Sequence, residues 1–140
     1  VILLDTNVVS ALMQPGVEPG VISWLDSQPS ESIWTTSITV FEVRFGLDIL
    51  VPGRRRSALE EAFQTMLEED FDGRIVPFDE AAAQMAGQIA AEQRRRGRPV
   101  EIRDVQIAGI AAARRASIAT RNVRHFESLG LEIIDPWSGG

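Results

Sequence analysis

Val1-Ile-Leu-Leu4, followed at once by Asp5, is the feature that most narrows what this chain can fold into. Four apolar residues in succession, with no polar alternation, read as a strand covered on both faces, the state of a central parallel strand in an α/β domain. Asp5 then stands at the carboxyl end of a buried strand, where open α/β sheets leave the crevice in which ligands bind. The structural alternative is that Asp5 or Asn7 only caps the following helix, since both are good N-cap residues. A lone Asp favours the cap, and only matching carboxylates further along shift the balance.

Composition removes many other chemistries. With 140 residues, 44% of them hydrophobic, the expectation is one domain with a proper core, residues 1–140, with no transmembrane-length apolar run and no visible signal peptide. The absence of cysteine excludes disulfides and thiolate metal sites and suits a reducing cytoplasm, the expected location. All 14 basic residues are Arg, so there is no Lys for a Walker-type phosphate loop or a Schiff base. His125 is the only histidine, which argues against histidine-based zinc sites and a Ser-His-Asp triad. The net charge of −6 argues against broad electrostatic binding of nucleic acid, although local Arg clusters can hold a phosphate backbone.

Periodicity and punctuation predict helices over 8–13, from about Gly20 through Leu25, from Ser37 to about Val51, from Ser57 to Asp70, from Asp79 to about Arg96 and from Ile102 to about Ala116. Strands are expected at 32–36, at 74–78, where Pro77 implies an edge or a strand end, at 117–120 and at 131–134. A brief helix holding Phe126 and Leu129 follows the turn Arg121-Asn122. Trp137 should pack on the domain, and Ser138 to Gly140 should fray.

Two further acids fall at suggestive places. Thr39-Val-Phe-Glu42 fits a capping box, a wholly structural use of Glu42. Against it, Ile38, Glu42, Phe45 and Ile49 share one side at helical spacing, so the carboxylate interrupts an apolar stripe, where an unpaired charge is costly. Asp104 shares a face with Ile107, Ala108 and Ala111, the alternative being simple first-turn stabilisation by the helix dipole. Asp79 is assigned to structure as an N-cap. Arg54 to Arg56 read as a solvated corner, whereas Arg94-Arg-Arg-Gly97-Arg98-Pro99 is the best candidate for gripping a polyanion, solvation again being the alternative. Carboxylates brought together repel, so such a cluster persists only if some are protonated or a cation neutralises them. Oxygen ligands without His or Cys point to Mg²⁺, with Mn²⁺ as substitute, shared with a phosphate substrate. The corresponding chemistry is a metal-activated water attacking a phosphodiester.

Leu4-Asp5-Thr6-Asn7, Ser37-Ile-Thr-Val-Phe-Glu42 with Gly46, Arg103-Asp104-x-x-Ile107-Ala108, and Thr120-Arg121-Asn122 with Phe126 together resemble the PIN domain. The resemblance covers the whole chain. It is closest to the VapC-type toxins of bacterial toxin–antitoxin pairs, in their FitB-like branch, through Trp24-Leu25-Asp26-Ser27, Gly73-Arg74-Ile75-Val76-Pro77-Phe78-Asp79-Glu80 and Pro136-Trp137. Each motif alone is weak, whereas their order and spacing are specific. The resemblance implies a three-layer α/β/α fold with a short central parallel sheet, and a Mg²⁺-dependent endoribonuclease held inactive by a cognate antitoxin. Carried over by position, Asp5, Glu42, Asp104 and Asn122 match the metal-binding residues, with Thr120 and Thr6 beside them. Asn122 replaces a frequent fourth Asp and adds no negative charge. His125 also stands where related toxins often have Asp.

Partners follow from the same resemblance: an RNA substrate, an antitoxin, a homodimer or a hetero-oligomer with the antitoxin, DNA only through the antitoxin, and no membrane. Val8, Val9, Leu12, Met13, Val21, Ile22, Trp24 and Leu25 are more short apolar helix than a small domain readily covers, so part of them should form an antitoxin groove. Two rival readings remain. A receiver-like or haloacid-dehalogenase-like phosphoacceptor also places Asp after a first strand, but uses a Lys that this chain lacks. The other rival is a chain that serves mainly as the binding partner of a DNA-binding antitoxin in operon autoregulation.

Overall fold

The computed structural model describes residues 1–138, so of the expected frayed end Gly139 and Gly140 lie outside the described residues. Five parallel strands, β1 (Ile2–Leu4), β2 (Ile33–Thr36), β3 (Ile75–Val76), β4 (Ser117–Ala119) and β5 (Ile133–Ile134), lie in the order β3-β2-β1-β4-β5. The apolar run that opens the chain is the central strand. Ile2 pairs with Ile33 on one side, and Leu3 with Ile118 on the other. β3 is an edge, as Pro77 requires, because a proline N cannot donate to a further strand.

Among the described residues seven α-helices cover the sheet: α1 (Thr6–Met13), α2 (Pro19–Asp26), α3 (Ser37–Asp48), α4 (Arg54–Thr65), α5 (Glu80–Arg95), α6 (Ile102–Arg114) and α7 (Val123–Phe126). Alternation along each strand sends successive side chains to opposite faces. Leu4 and Ala119 thus meet Val8, Val43, Leu47 and Phe63 from α1, α3 and α4, whereas Leu3 and Ile118 meet Ala82, Ile107, Ile110 and Phe126 from α5, α6 and α7. The result is a three-layer α/β/α arrangement. On the second side α5 and α6 touch backbone to backbone at Gly109, where a Cβ would lie 2.5 Å from the Ala82 carbonyl oxygen.

Three expectations need correction. α3 stops at Asp48 with Ile49 as its C-cap rather than reaching Val51, in keeping with Pro52 just beyond, which cannot continue a helix. α4 starts earlier than expected, at Arg54, and its last turn widens to a π-helical one over Met66–Asp70, turning buried Met66 and Phe71 inward. The apolar groove expected from α1 and α2 is mostly core: Val8, Val9, Met13, Val21 and Trp24 are buried and Leu12 and Leu25 pack against them, which leaves only Ile22 exposed. Trp137 packs against the same cluster, and the Arg121 guanidinium lies 4.8 Å from its ring centre. Among the described residues, no helix is long and apolar enough to cross a membrane.

Candidate active site

The ends of β1 and β4 and the starts of α3 and α6 bring the expected acids to the carboxyl edge of the sheet. Asp5, 5% exposed, is both the N-cap of α1 and a member of this cluster. Its Oδ1 accepts the Thr6 N–H at 2.8 Å, while its Oδ2 accepts the Thr120 hydroxyl at 2.8 Å and the Asn7 amide at 3.3 Å. The capping role and the crevice position are therefore compatible, since the helix uses only one oxygen. Burial pushes the Asp5 carboxyl above its ordinary range; hydrogen bonds from Thr120 and Thr6 oppose this, and the charges of Asp104 and Glu42 add to it.

Glu42 is not part of a capping box. α3 is capped by Thr36, whose Oγ1 accepts the Thr39 N–H at 3.1 Å, so Glu42 lies a turn too deep to reach back to the cap. Its Oε1 instead accepts the Thr6 hydroxyl at 2.8 Å, and its Oε2 lies 3.2 Å from Arg103 Nη1. Asp104, in the first turn of α6, lies 2.8 Å from His125 Nδ1 through Oδ2. Burial also raises the Asp104 carboxyl; the contact with His125 opposes the shift, and Glu101 and Glu42 reinforce it.

Thr120 is fully buried after β4 and donates its hydroxyl hydrogen bond to Asp5 while accepting the Asn7 amide at 3.2 Å and the Asn122 backbone N–H at 3.0 Å. Asn122 joins this network only through its backbone. Its side chain is exposed and makes no cap hydrogen bond to α7. Among the described residues, no three His, Cys, Asp or Glu side chains stand close enough to form a ready ligand set. The acids converge without closing: Asp5 feels both Asp104 and Glu42, Asp104 feels Glu42, and Arg103 and His125 each contact one oxygen of Glu42 and Asp104 respectively. An all-oxygen set of this openness suits Mg²⁺, which takes one or two carboxylates and keeps several waters.

The PIN domain family matches residues 2–130. The chain belongs to the PIN-domain family. The VapC ribonuclease Y4jK of Sinorhizobium fredii is 35% identical over 136 residues, 97% of each protein. Toxin FitB of Neisseria gonorrhoeae is also 35% identical, over 97% of this chain and 98% of the toxin. The crystal structure of FitAcB from the same organism superposes with a TM-score of 0.89 at 34% identity, covering 98% and 99% of the two chains. A DNA-bound VapBC structure from Salmonella typhimurium superposes at 0.79 with 31% identity, over 96% of this chain and 97% of that one.

Within this PIN domain, three residues of the network were not singled out by pattern as site-forming. Asn7 ties the start of α1 to the loop after β4, its Oδ1 accepting the Arg121 N–H at 3.0 Å. Arg103 and His125 supply the partners of Glu42 and Asp104 already described. Sequence places Asn7 and Arg103 beside Asp5 and Asp104 in the motifs that resemble the PIN domain and marks His125 as the sole histidine, but none of this tells which way a side chain turns. The apolar stripe used to place Glu42 is also not buried as expected. Phe45 and Ile49 are exposed, α3 burying Thr39, Val43 and Leu47 instead. Phe41 stacks on Phe45 with ring centres 6.3 Å apart, and the Arg103 guanidinium lies 5.4 Å from the Phe41 ring, so this exposed row adjoins the acids.

Proposed function

We infer that this PIN-domain protein is a metal-dependent endoribonuclease, the toxin of a toxin–antitoxin pair. The observation that carries the reading is the convergence of Asp5, Glu42 and Asp104, from three separate elements, at the carboxyl edge of the sheet, with Asp5 and Asp104 held above their ordinary range. Similarity along nearly the whole chain to a VapC ribonuclease and to toxin FitB supports it. Asp5, Glu42 and Asp104 would hold Mg²⁺ or Mn²⁺, with the exposed Asn122 side chain free to add a carboxamide oxygen. When bound, the ion supplies positive charge at the phosphoryl oxygens and acidifies water. Thr120 and the Thr6 N–H fix the direction of the Asp5 oxygens, and the Thr6 hydroxyl does the same for Glu42.

An antitoxin is the expected regulator, with DNA reached only through it, as the similarity to DNA-bound VapBC supports. The exposed row Phe41, Phe45 and Ile49 gives α3 an apolar face for a second protein chain, a role first assigned to α1 and α2. Cleavage of RNA by the purified chain, freed of any partner, tests the enzyme. It should cut with Mg²⁺ or Mn²⁺ and stop with excess EDTA, and Asp5→Asn should abolish it. Equal cleavage by Asp5→Asn, or full activity in EDTA, overturns the metal-dependent reading.

A further inference from the structure

A pocket of about 380 Å³ opens between the end of α5, the loop into α6, and α7, and Asp104 and His125 form one of its walls. Gln93 lines it and is only 6% exposed. Its carboxamide has no hydrogen-bond partner among the described residues. No unpaired polar side-chain atom is wholly sealed from solvent there, so the amide opens into this pocket and the shallower cleft that Gln93 also borders. A nearly buried amide whose polar atoms still reach solvent at these openings is placed to pair with a ligand that enters them.

Two guanidinium groups frame the same space. Arg98 is set by the end of α5, where Gly97 takes φ +69° and the Arg98 N–H bonds back to the Gln93 carbonyl at 2.9 Å, with the Gly97 N–H on the Arg94 carbonyl at 3.0 Å. This closure lays the start of the loop over Gln93 itself. Arg124 rides on α7, which the fully buried Phe126 anchors. Arg95 and Arg96 are neutralised by Glu92 and Arg103 by Glu42, whereas Arg98 and Arg124 make no ion pair among the described residues. Glu101 is the other carboxylate in the wall besides Asp104.

We propose that this pocket is a nucleotide subsite, which takes one unpaired nucleotide of the RNA next to the bond cut at Asp5, Glu42 and Asp104. Arg98 and Arg124 hold its phosphate, and the Gln93 carboxamide reads the edge of its base. This rests on the ribonuclease reading above. The volume lies at the lower end of small-ligand pockets. A carboxamide offers a donor and an acceptor side by side, the pattern that pairs with a base edge, and single-stranded RNA is read through such unstacked bases. Because Asp104 is a shared wall, a nucleotide seated here continues directly into the acid cluster.

The test uses the full chain in two arms. In the first, an Asp5→Asn protein binds short single-stranded RNA, followed by fluorescence anisotropy across salt concentrations, with and without Arg98→Ala and Arg124→Ala. The double substitution should lower the slope of log affinity against log salt by roughly 0.7, the value for one lost phosphate contact on a single strand. In the second, the active protein and its Gln93→Leu and Gln93→Met variants are compared by sequencing of cleavage products. Preference for one base beside the cut should fall by roughly 5- to 160-fold in both variants, the range for losing one bidentate base contact. Melting curves establish that each variant is folded, and the two exposed Arg positions carry the test if both Gln93 variants are not. An unchanged salt slope together with unchanged base preference overturns the subsite. Binding of a nucleoside monophosphate as tight as that of RNA, and equally weakened by the Arg pair, overturns the RNA assignment and makes this a free-nucleotide site. Absence of cleavage by the wild-type chain overturns the ribonuclease reading instead, and the anisotropy arm still decides the subsite.

Discussion

Replacing Gly109 with Ala puts a methyl group where α5 and α6 are in backbone contact. The new Cβ would lie 2.5 Å from the Ala82 carbonyl oxygen, 2.6 Å from the Ala86 Cβ and 2.7 Å from the Ala86 nitrogen. None of these atoms can swing aside, so the two helices themselves must separate. Overpacking of this kind costs about 1–3 kcal/mol, and backbone contacts put Gly109 at the upper end. Ala returns about 1 kcal/mol of helix propensity relative to Gly, leaving a net loss of about 1–2 kcal/mol. With an unfolding entropy of about 2.1 cal/mol/K per residue, the 140-residue chain should lose roughly 3–7 °C in Tm. Gly87→Ala is the control: Gly87 lies in α5, the other helix of this pair, is exposed and has nothing within 4 Å of a built Cβ, so only propensity acts and Tm should rise. Since α6 carries Asp104 in its first turn, Gly109→Ala should also weaken Mn²⁺ binding, read by calorimetry. A Gly109→Ala protein that melts with or above the wild type refutes the close-contact reasoning, as does an equal loss in Gly87→Ala.

The site itself supports three further expectations. Because burial holds the Asp5 carboxyl above its ordinary value of 3.8, the folded state binds that proton more tightly than the unfolded one, and stability falls as pH rises through the window above 3.8. Asp5→Asn should therefore melt higher than the wild type at pH 7 without divalent ions, a gain that disappears below pH 3.8; a lower Tm at pH 7 contradicts it. Arg103→Gln frees the Glu42 oxygen that it approaches at 3.2 Å, and with the Arg side chain 44% exposed the effect is bounded by that of a screened pair. Mn²⁺ should bind up to about fivefold more tightly, equivalent to about 1 kcal/mol, and an equal or weaker affinity removes Arg103 as a competitor. Asn122→Asp adds one negative charge at nearly constant volume and should raise Mn²⁺ affinity, whereas unchanged affinity and stoichiometry in calorimetry would take position 122 out of the site.

The parts of the fold that could be read from sequence are those where one local signal has one structural meaning. A four-residue apolar run ending in Asp5 gave the central strand, Pro77 gave the edge, and Asp79 caps α5 by accepting the Ala82 N–H at 3.0 Å. Periodicity misled where part of an apolar row is not buried: Ile38, Phe45 and Ile49 have the spacing of a core face, but only Ile38 packs on the core, because the β2–α3 connection turns Thr39, Val43 and Leu47 to the sheet and leaves Phe45 and Ile49 exposed. Spacing records which residues share a side and not which side meets the core. Glu42 still faces the cluster because it lies between the two sides, close enough for the Thr6 hydroxyl. Gln93 could not have been found by pattern, since a polar residue in an Ala-rich helix reads as solvent-facing until the Gly97 turn folds the loop back over it.

The hydrogen bonds at the sheet edge leave an imbalance that links stability to binding. Asp5 takes hydrogen bonds from Thr6, Thr120 and Asn7, yet burial and two neighbouring carboxylates still lift its proton affinity, so local dipoles alone do not neutralise the cluster. Arg103 meets one oxygen of Glu42 at 3.2 Å, and His125 Nδ1 meets one oxygen of Asp104 at 2.8 Å. Asp104 and Glu42 nonetheless still raise the Asp5 carboxyl, so the space beside the three acids favours positive charge. A cation bound there interacts with the folded chain alone, because the unfolded chain does not hold Asp5, Glu42 and Asp104 together, and it therefore stabilises the fold by RT ln(1 + [L]/Kd). The stabilisation at 100 times Kd is about 2.7 kcal/mol, comparable in size to the whole cost of the Gly109→Ala clash. Divalent ions should thus raise the Tm of the wild type and leave that of Asp5→Asn nearly unmoved, which separates the charge cluster from ordinary surface carboxylates without any assay of RNA.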